Sequence, residues 1–223
     1  GIRRSGKSVM LELIKEELAE AGVAPSQMIS INFEDMRYSH LQTATALHDE
    51  IIKRAEGIEG KAYLFFDEIQ EVEGWEKCVN SLRVALDCDI YITGSNAKLL
   101  SGELATYIGG RYVEFVIYPF SFAEFLELYH TIAPSDSIQQ CFQKYLLAGG
   151  MPYLANLRYE EEPSRQYLTD LFNSVQLKDI VKRNKIRDID LLERIIAYMT
   201  ANVGTVFSAS SLAKFFKNEQ RTV

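Results

Sequence analysis

The sequence opens with Gly1-Ile2-Arg3-Arg4-Ser5-Gly6-Lys7-Ser8, and the interpretation of everything after it depends on these residues. They match the phosphate-binding pattern G-x-x-x-x-G-K-[ST] at every fixed position. In that pattern the glycines let backbone N–H groups curl around phosphates, the lysine reaches the β and γ oxygens, and the hydroxyl ligates Mg²⁺. We therefore predict a triphosphate site formed by residues 1 to 8 and Val9, with Ser8 as a ligand of Mg²⁺.

The pattern also requires a strand before the loop and a helix after it. Residues 8–20 carry apolar side chains at helical spacing, and Gly22 stands where a C-terminal cap belongs, so the helix is predicted. Because the pattern starts on the first residue, we expect the strand that carries the loop to precede it in a longer chain.

Strands and helices alternate through the first half of the sequence. Strands are predicted at 28–33, 62–66, 89–93 and 113–118, with helices at 44–51, 75–86 and 99–108 between them. This alternation predicts an α/β fold with a parallel sheet and helices on both faces. After Phe120 the pattern is helical to the end. We expect the run of Phe120, Phe122 and Phe125 to pack between the sheet and this helical region, the alternative being a surface on which bases stack.

Composition places the chain among globular proteins. It has 223 residues, of which 47% are hydrophobic and 25% charged, and no apolar run approaches the roughly 18 residues of a membrane span. Three cysteines without C-x-x-C spacing fit a reducing cytoplasm. A net charge of −7 argues against coating nucleic acid by bulk charge. The basic residues of 178–187 fit either a solvated helix face or a contact with nucleic acid or a partner.

An acidic pair follows the buried strand at 62–66. Asp67 is predicted to end that strand beside the phosphate loop, where a carboxylate can hold Mg²⁺ through its water shell. Glu68 projects past the strand end and is suited to polarise an attacking water. The alternative is that both are ordinary surface acids at a strand end.

Two further groups are candidates for the reaction. Ser95 and Asn96 follow the next strand, at the edge where ligands bind in open α/β sheets, although Thr93-Gly94-Ser95-Asn96 is also typical of a plain turn. Arg111 follows a predicted helix and precedes the strand predicted at 113–118. It is suited to stabilise transition-state charge as an arginine finger, in its own subunit or in a neighbour, or to serve only as a residue at a helix end.

Taken together, these motifs resemble those of the AAA+ superfamily. Residues 1–8 resemble Walker A, 63–68 Walker B and 92–96 sensor 1. The segments at 3–8, 66–70, 93–95, 110–111 and 119–125 are similar to a group of prokaryotic AAA+ ATPases in which the AAA domain is followed by a C-terminal domain of unknown function. Residues 146–152 resemble a turn of the lid in that group, and 208–223 the start of a winged helix-turn-helix.

The resemblance implies a sheet of order 5-1-4-3-2, ATP with Mg²⁺, and a C-terminal segment that binds DNA or a protein partner. It also implies three parts: an ATPase core at 1–122, a helical lid-like region at 123–187 and the beginning of a winged helix at 188–223. Strand 1 and a convincing sensor 2 arginine are not found in the sequence.

Two functions stay open at this point, and a third, a small-molecule kinase, would need an acceptor pocket that the sequence does not indicate. One is a Mg²⁺-dependent ATPase of AAA+ type, which couples hydrolysis to conformational change and is compatible with a homo-oligomer. The other is a nucleotide-gated switch that binds DNA or protein with little turnover. Glu68 favours the first function, and the basic stretch at 178–187 favours the second.

Overall fold

A computed structural model of the protein describes residues 2–94, 110–175, 188–206 and 208–219, the side chains of 216–219 excepted. The chain divides into two compact units, Gly1–Asp170 and Leu171–Val223. The candidates Gly1, Ser95 and Asn96, the helix predicted at 99–108 and the basic stretch at 178–187 lie outside the described residues. The predicted division into three parts stays a prediction.

The sheet of the first unit consists of three parallel strands. These are β1 (Met28–Asn32), β2 (Ala62–Asp67) and β3 (Cys88–Ile92), in the order β1-β2-β3. The strand predictions for these three segments are confirmed. Short apolar runs bounded by turns are typical of buried strands. The resemblance implied a sheet of order 5-1-4-3-2, and the observed order of β1, β2 and β3 matches its adjacent strands 2, 3 and 4.

Helices cover both faces of this sheet, as the sequence predicts. Helices α2 (Ala44–Ala55) and α3 (Trp75–Ala85) pack on one face, where Leu64 and Phe66 of β2 enter the hydrophobic core. Helix α1 (Lys7–Glu20) lies on the opposite face, with Nζ of Lys15 6.0 Å from the centre of the Phe65 ring. Phe65 in turn stacks on Tyr91 of β3 at 4.9 Å.

The strand predicted at 113–118 is wrong. None of these residues is assigned to a strand, and the side chains of Val113, Phe115 and Tyr118 are exposed. Apolar and β-branched residues form a strand only where a neighbouring strand pairs with their N–H and C=O groups. No strand of the described residues pairs with this segment, so its composition alone does not produce one.

From Phe122 onward, the first unit is mainly helical. Helices α4 (Phe122–Ile132) and α5 (Ile138–Ala148) both begin with a capping box, and α6 (Glu161–Val175) extends across the boundary between the units. Phe125 is fully buried, and its ring contacts those of Phe122, Tyr129, Tyr145 and Tyr159. Phe125 and the partly buried Phe122 thus pack among aromatic rings of the helical region, and packing of this run against the sheet stays a prediction.

A close backbone contact joins the start of α4 to the end of α5. The N–H of Phe120 donates to the carbonyl of Gly150 at 2.7 Å, and the hydroxyl of Tyr145 donates to the carbonyl of Phe120 at 3.0 Å. A Cβ atom at Gly150 would lie 2.0 Å from the carbonyl oxygen of Phe120. Only glycine permits this approach.

The second unit contains α7 (Ile189–Ala201) and α8 (Ala209–Glu219). Asp188 caps α7 by accepting a hydrogen bond from the N–H of Leu191, and the ring of Tyr198 packs on that of Phe215 with centroids 4.7 Å apart. In the part of the chain that the structure describes, no helix has the length and apolar content needed to cross a bilayer.

Candidate functional site

Three polar side chains form a row across the carboxyl ends of the strands. Asn32 is the register partner of Asp67, and the pairing of Phe66 with Ile92 brings Thr93 to the other side of Asp67. Nδ2 of Asn32 donates to Oδ2 of Asp67 at 3.1 Å, and the hydroxyl of Thr93 donates to Oδ1. The carboxylate of Asp67, whose residue is only 7% exposed, is thus held from both neighbouring strands.

This row faces the same side of the sheet as α1. Side chains two residues apart on a strand point to the same face, so Asp67 shares the face on which Phe65 meets α1. The C-terminal end of α1 leads to β1 through residues 21–27, and Gln27 donates to the carbonyls of Glu59 and Lys61, which precede β2. That end of α1 therefore lies at the amino ends of the strands.

The N-terminus of α1 must then lie at the opposite edge of the sheet. The helix has 14 residues, which at about 1.5 Å per residue gives it roughly the length of β2. Lys7, Ser8 and Val9 form its first turn, so this turn lies toward the carboxyl ends, where Asp67 ends β2. Ser8 and Val9 are exposed, and the first turn contains no acidic residue.

The loop before α1 is closed around the carbonyl of Ile2. The Ser5 hydroxyl donates to this oxygen at 3.0 Å, and Nζ of Lys7 donates to it at 2.6 Å. Ser5 is buried, whereas Ile2 and Arg4 are exposed and Arg3 is partly exposed. Gly6 caps the helix with a φ of 102°, a conformation that glycine adopts without strain and that leaves no side chain over the helix end.

Glu68 directly follows the row and turns the chain into the short 3₁₀ helix Ile69–Glu71. Its φ of 56° is left-handed, which is uncommon for a residue with a side chain. Its N–H donates to the hydroxyl of Thr93 at 3.3 Å, and Nε2 of Gln70 donates to its carboxylate. The half-buried Glu68 is therefore fixed both at its backbone and at its side chain.

Helix α6 carries a tyrosine on which the charge of the loop acts. Burial raises the pKa of Tyr167 on this helix, and the charge of Arg4 acts in the opposite direction. The ring of Tyr167 also packs on that of Tyr153 at 4.9 Å. The charge of Arg4 in the loop thus acts on a tyrosine of the helical region.

Arg111 is not tied to these groups. It lies at an exposed bend after Gly110, whose φ is 71°, and it makes no hydrogen bond or ion pair with other residues that the structure describes.

Three contacts of this site are not indicated by the sequence. Asn32 is identified only through the register of β1 with β2, although a polar residue after an apolar strand is a weak signal. Thr93 lies inside the run at 92–96, which predicts polar groups at this edge but not a contact with Asp67. Gln70 lies inside the segment at 66–70, and no sequence pattern indicates its contact with Glu68.

The oxygen-rich groups of the site suit Mg²⁺ better than softer metals. Mg²⁺ prefers one or two carboxylates together with water and phosphate oxygens, which matches a carboxylate at Asp67 and a hydroxyl at Ser8. Among the described residues, no group of three histidine, cysteine or acidic side chains is placed to hold a metal ion. Burial raises the pKa of Cys78 to about 12 and also raises the pKa of Cys88 and Cys141, so these thiols stay protonated at neutral pH.

The family follows from a comparison with known proteins. The sequence profile of a family described as "AAA domain" matches residues 1–126. The chain belongs to the AAA domain family. Membership indicates nucleotide binding and an ATPase-like function, and residues 139–223 match a second family, a domain of unknown function (DUF8612).

Two curated relatives resemble this AAA domain chain over nearly its whole length. An uncharacterized protein of Haemophilus influenzae is 38% identical over 221 residues, which cover 99% of this chain and 54% of the relative. An uncharacterized protein of Methanocaldococcus jannaschii is 32% identical over 231 residues, covering 98% of this chain and 50% of the relative. The chain thus spans about half the length of these relatives. No solved structure matches it significantly.

Proposed function

We propose that this AAA domain protein is a Mg²⁺-dependent ATPase that converts ATP and water to ADP and phosphate and couples this reaction to movement of its helical region. The observation that carries the proposal is the carboxylate of Asp67, held by Asn32 and Thr93 at the sheet edge, with Glu68 one residue beyond it. The proposal gives the two acids different roles, with Asp67 at Mg²⁺ and Glu68 at the attacking water.

The phosphates are assigned to the loop 1–6 and to Lys7, Ser8 and Val9. Backbone N–H groups of the first turn of α1 and the positive end of its dipole favour an anion there. The amine of Lys7 adds a positive charge. In this proposal it leaves the carbonyl of Ile2 and binds the β and γ oxygens when ATP is present. Ser8 and Asp67 would hold Mg²⁺, which neutralises charge that develops on the transferred phosphoryl group.

Glu68 is assigned to polarise the attacking water. A general base must lie within hydrogen-bond reach of the proton that it abstracts, so its carboxylate needs a fixed direction. Ser95 and Asn96 are assigned to the γ-phosphate or the same water, and Arg111 to the transition state, from its own subunit or from a neighbour in a homo-oligomer.

Coupling to movement is supported by an electrostatic effect. The charge of Arg4 in the loop acts on Tyr167 of α6, so a change in the loop on nucleotide binding would change the surroundings of this helix. We further infer a reducing, cytoplasmic location, because three free cysteines with protonated thiols suit such a compartment.

The second candidate is a nucleotide-gated switch that binds DNA or a protein partner through a winged helix at 188–223. The basic residues of 178–187 favour it. Phosphate release by the intact protein, measured with and without Mg²⁺ and with and without duplex DNA, distinguishes the two. Mg²⁺-dependent turnover supports the ATPase. ATP binding without turnover, together with ATP-dependent retention of DNA, supports the switch.

A further inference from the structure

Gln70 uses only one end of its amide group. Its Nε2 donates to the carboxylate of Glu68, while its Oε1 is buried and has no hydrogen-bond partner among the described residues. Leaving a buried acceptor unpaired weakens the fold, and such a group in a native structure calls for an explanation. A glutamine that served only the stability of the fold would be expected to use both ends of its amide.

Gln27 shows what a glutamine with a structural role looks like in the same protein. Its Nε2 donates to the carbonyl of Lys61 at 3.0 Å, and its Oε1 accepts from the N–H of Ala24 at 3.0 Å. Both ends of the amide are satisfied, and the side chain joins the turn before β1 to the segment before β2. Gln70 differs because its hydrogen bond is directed at the proposed base.

The backbone around Glu68 is already fixed without Gln70. The hydroxyl of Thr93 accepts from the N–H of Glu68 at 3.3 Å, and the carbonyl of Thr93 accepts from the N–H of Ile69 at 3.2 Å. The glutamate side chain, however, rotates about three bonds beyond this backbone. A base loses efficiency when its carboxylate samples several directions, so a partner for the side chain contributes to the rate.

We propose that Gln70 is a positioning residue that holds the carboxylate of Glu68 in the direction needed to polarise the attacking water. This inference rests on the proposed ATPase function. It assigns Gln70 no contact with the nucleotide, so its contribution is to kcat and not to the affinity for ATP.

The test is Gln70→Met in the intact protein, because methionine has a similar length and no amide. We expect kcat to fall about tenfold while KM and the Kd for ATP stay unchanged. We also expect the Tm to stay equal or rise, since the substitution removes a buried acceptor that has no partner. The matched control is Gln27→Met, which should lower the Tm and leave kcat unchanged.

A double variant shows whether Gln70 acts through Glu68. In single-turnover measurements with radiolabelled ATP, Gln70→Met should have no further effect when Glu68→Gln is already present. An unchanged or raised kcat in Gln70→Met, a tenfold loss that persists in the Glu68→Gln background, or a fall in Tm alongside kcat would overturn the inference. Wild-type protein without ATP turnover would overturn the proposed function and this inference with it.

Discussion

At the scale of single residues, Asp67 is a buried carboxylate whose direction is fixed. One of its oxygens accepts a hydrogen bond from Asn32 and the other accepts one from Thr93. In the proposed function, this carboxylate holds Mg²⁺.

We predict that Asp67→Asn weakens the effect of Mg²⁺ on ATP binding while the protein stays folded. The new amide oxygen still accepts from Asn32, and the new NH₂ group can donate to the hydroxyl of Thr93, which rotates to accept. Calorimetric titration with ATP, with and without Mg²⁺, measures the effect. Asp89→Asn is the control, because Asp89 pairs with Lys61 at the far end of the sheet. Equal responses to Mg²⁺ in wild-type and Asp67→Asn protein would contradict the assignment.

Lys7 is the second residue whose role can be tested alone. We predict that Lys7→Ala abolishes ATP binding, because the amine is the principal side-chain contact to the β and γ oxygens. The control is Lys15→Ala on the same helix, whose amine pairs with Glu12 and lies away from the loop. Calorimetry should find no binding in the first variant and normal binding in the second. Normal affinity for ATP in Lys7→Ala would contradict the assignment of the triphosphate site to the loop.

At the scale of elements, the contact between Phe120 and Gly150 fixes the start of the helical region. We predict that Gly150→Ala lowers the Tm by roughly 10 °C, because the new Cβ would overlap the carbonyl of Phe120 and such overpacking costs about 3 kcal/mol. Gly57→Ala is the control. Its Cβ meets no atom within 4 Å, so only its positive φ costs energy, about 1 kcal/mol. Equal Tm values for the two variants would show that the close approach is unimportant.

Elements differ in how far the sequence predicts them. The segments that form β1, β2 and β3 were predicted because their short apolar runs are bounded by turns, and the helices because apolar residues recur at helical spacing. The segment at 113–118 has the same composition and forms no strand, since a strand depends on a neighbour that composition does not reveal.

The residues of the candidate site also differ in how far the sequence predicts them. Asp67 and Glu68 are visible in the sequence because they follow a buried strand. Asn32 and Gln70 are not, because one depends on the register between strands and the other on how a turn folds back on Glu68. Long-range pairing and side-chain direction decide these contacts, and local sequence patterns do not contain them.

At the scale of the whole molecule, Arg111 raises the question of a site shared between copies of the chain. If it acts in a neighbouring subunit, Arg111→Ala should lower turnover by roughly 10³ or more with little change in ATP affinity. A mixture of Arg111→Ala and Lys7→Ala proteins should then regain activity, because each variant retains the half-site that the other lacks. No recovery, together with monomers by light scattering, would leave Arg111 a finger within its own subunit or a residue at a helix end.

The central claim is that this site hydrolyses ATP with Glu68 as the base, and one measurement addresses it most directly. Radiolabelled ATP is added with Mg²⁺ to intact wild-type and Glu68→Gln protein, and bound nucleotide and released phosphate are followed together. We predict that wild-type protein releases phosphate. Glu68→Gln should bind ATP equally well, but its rate of phosphate release should be lower by a factor of at least about 10². Phosphate release at the wild-type rate by Glu68→Gln would contradict the account.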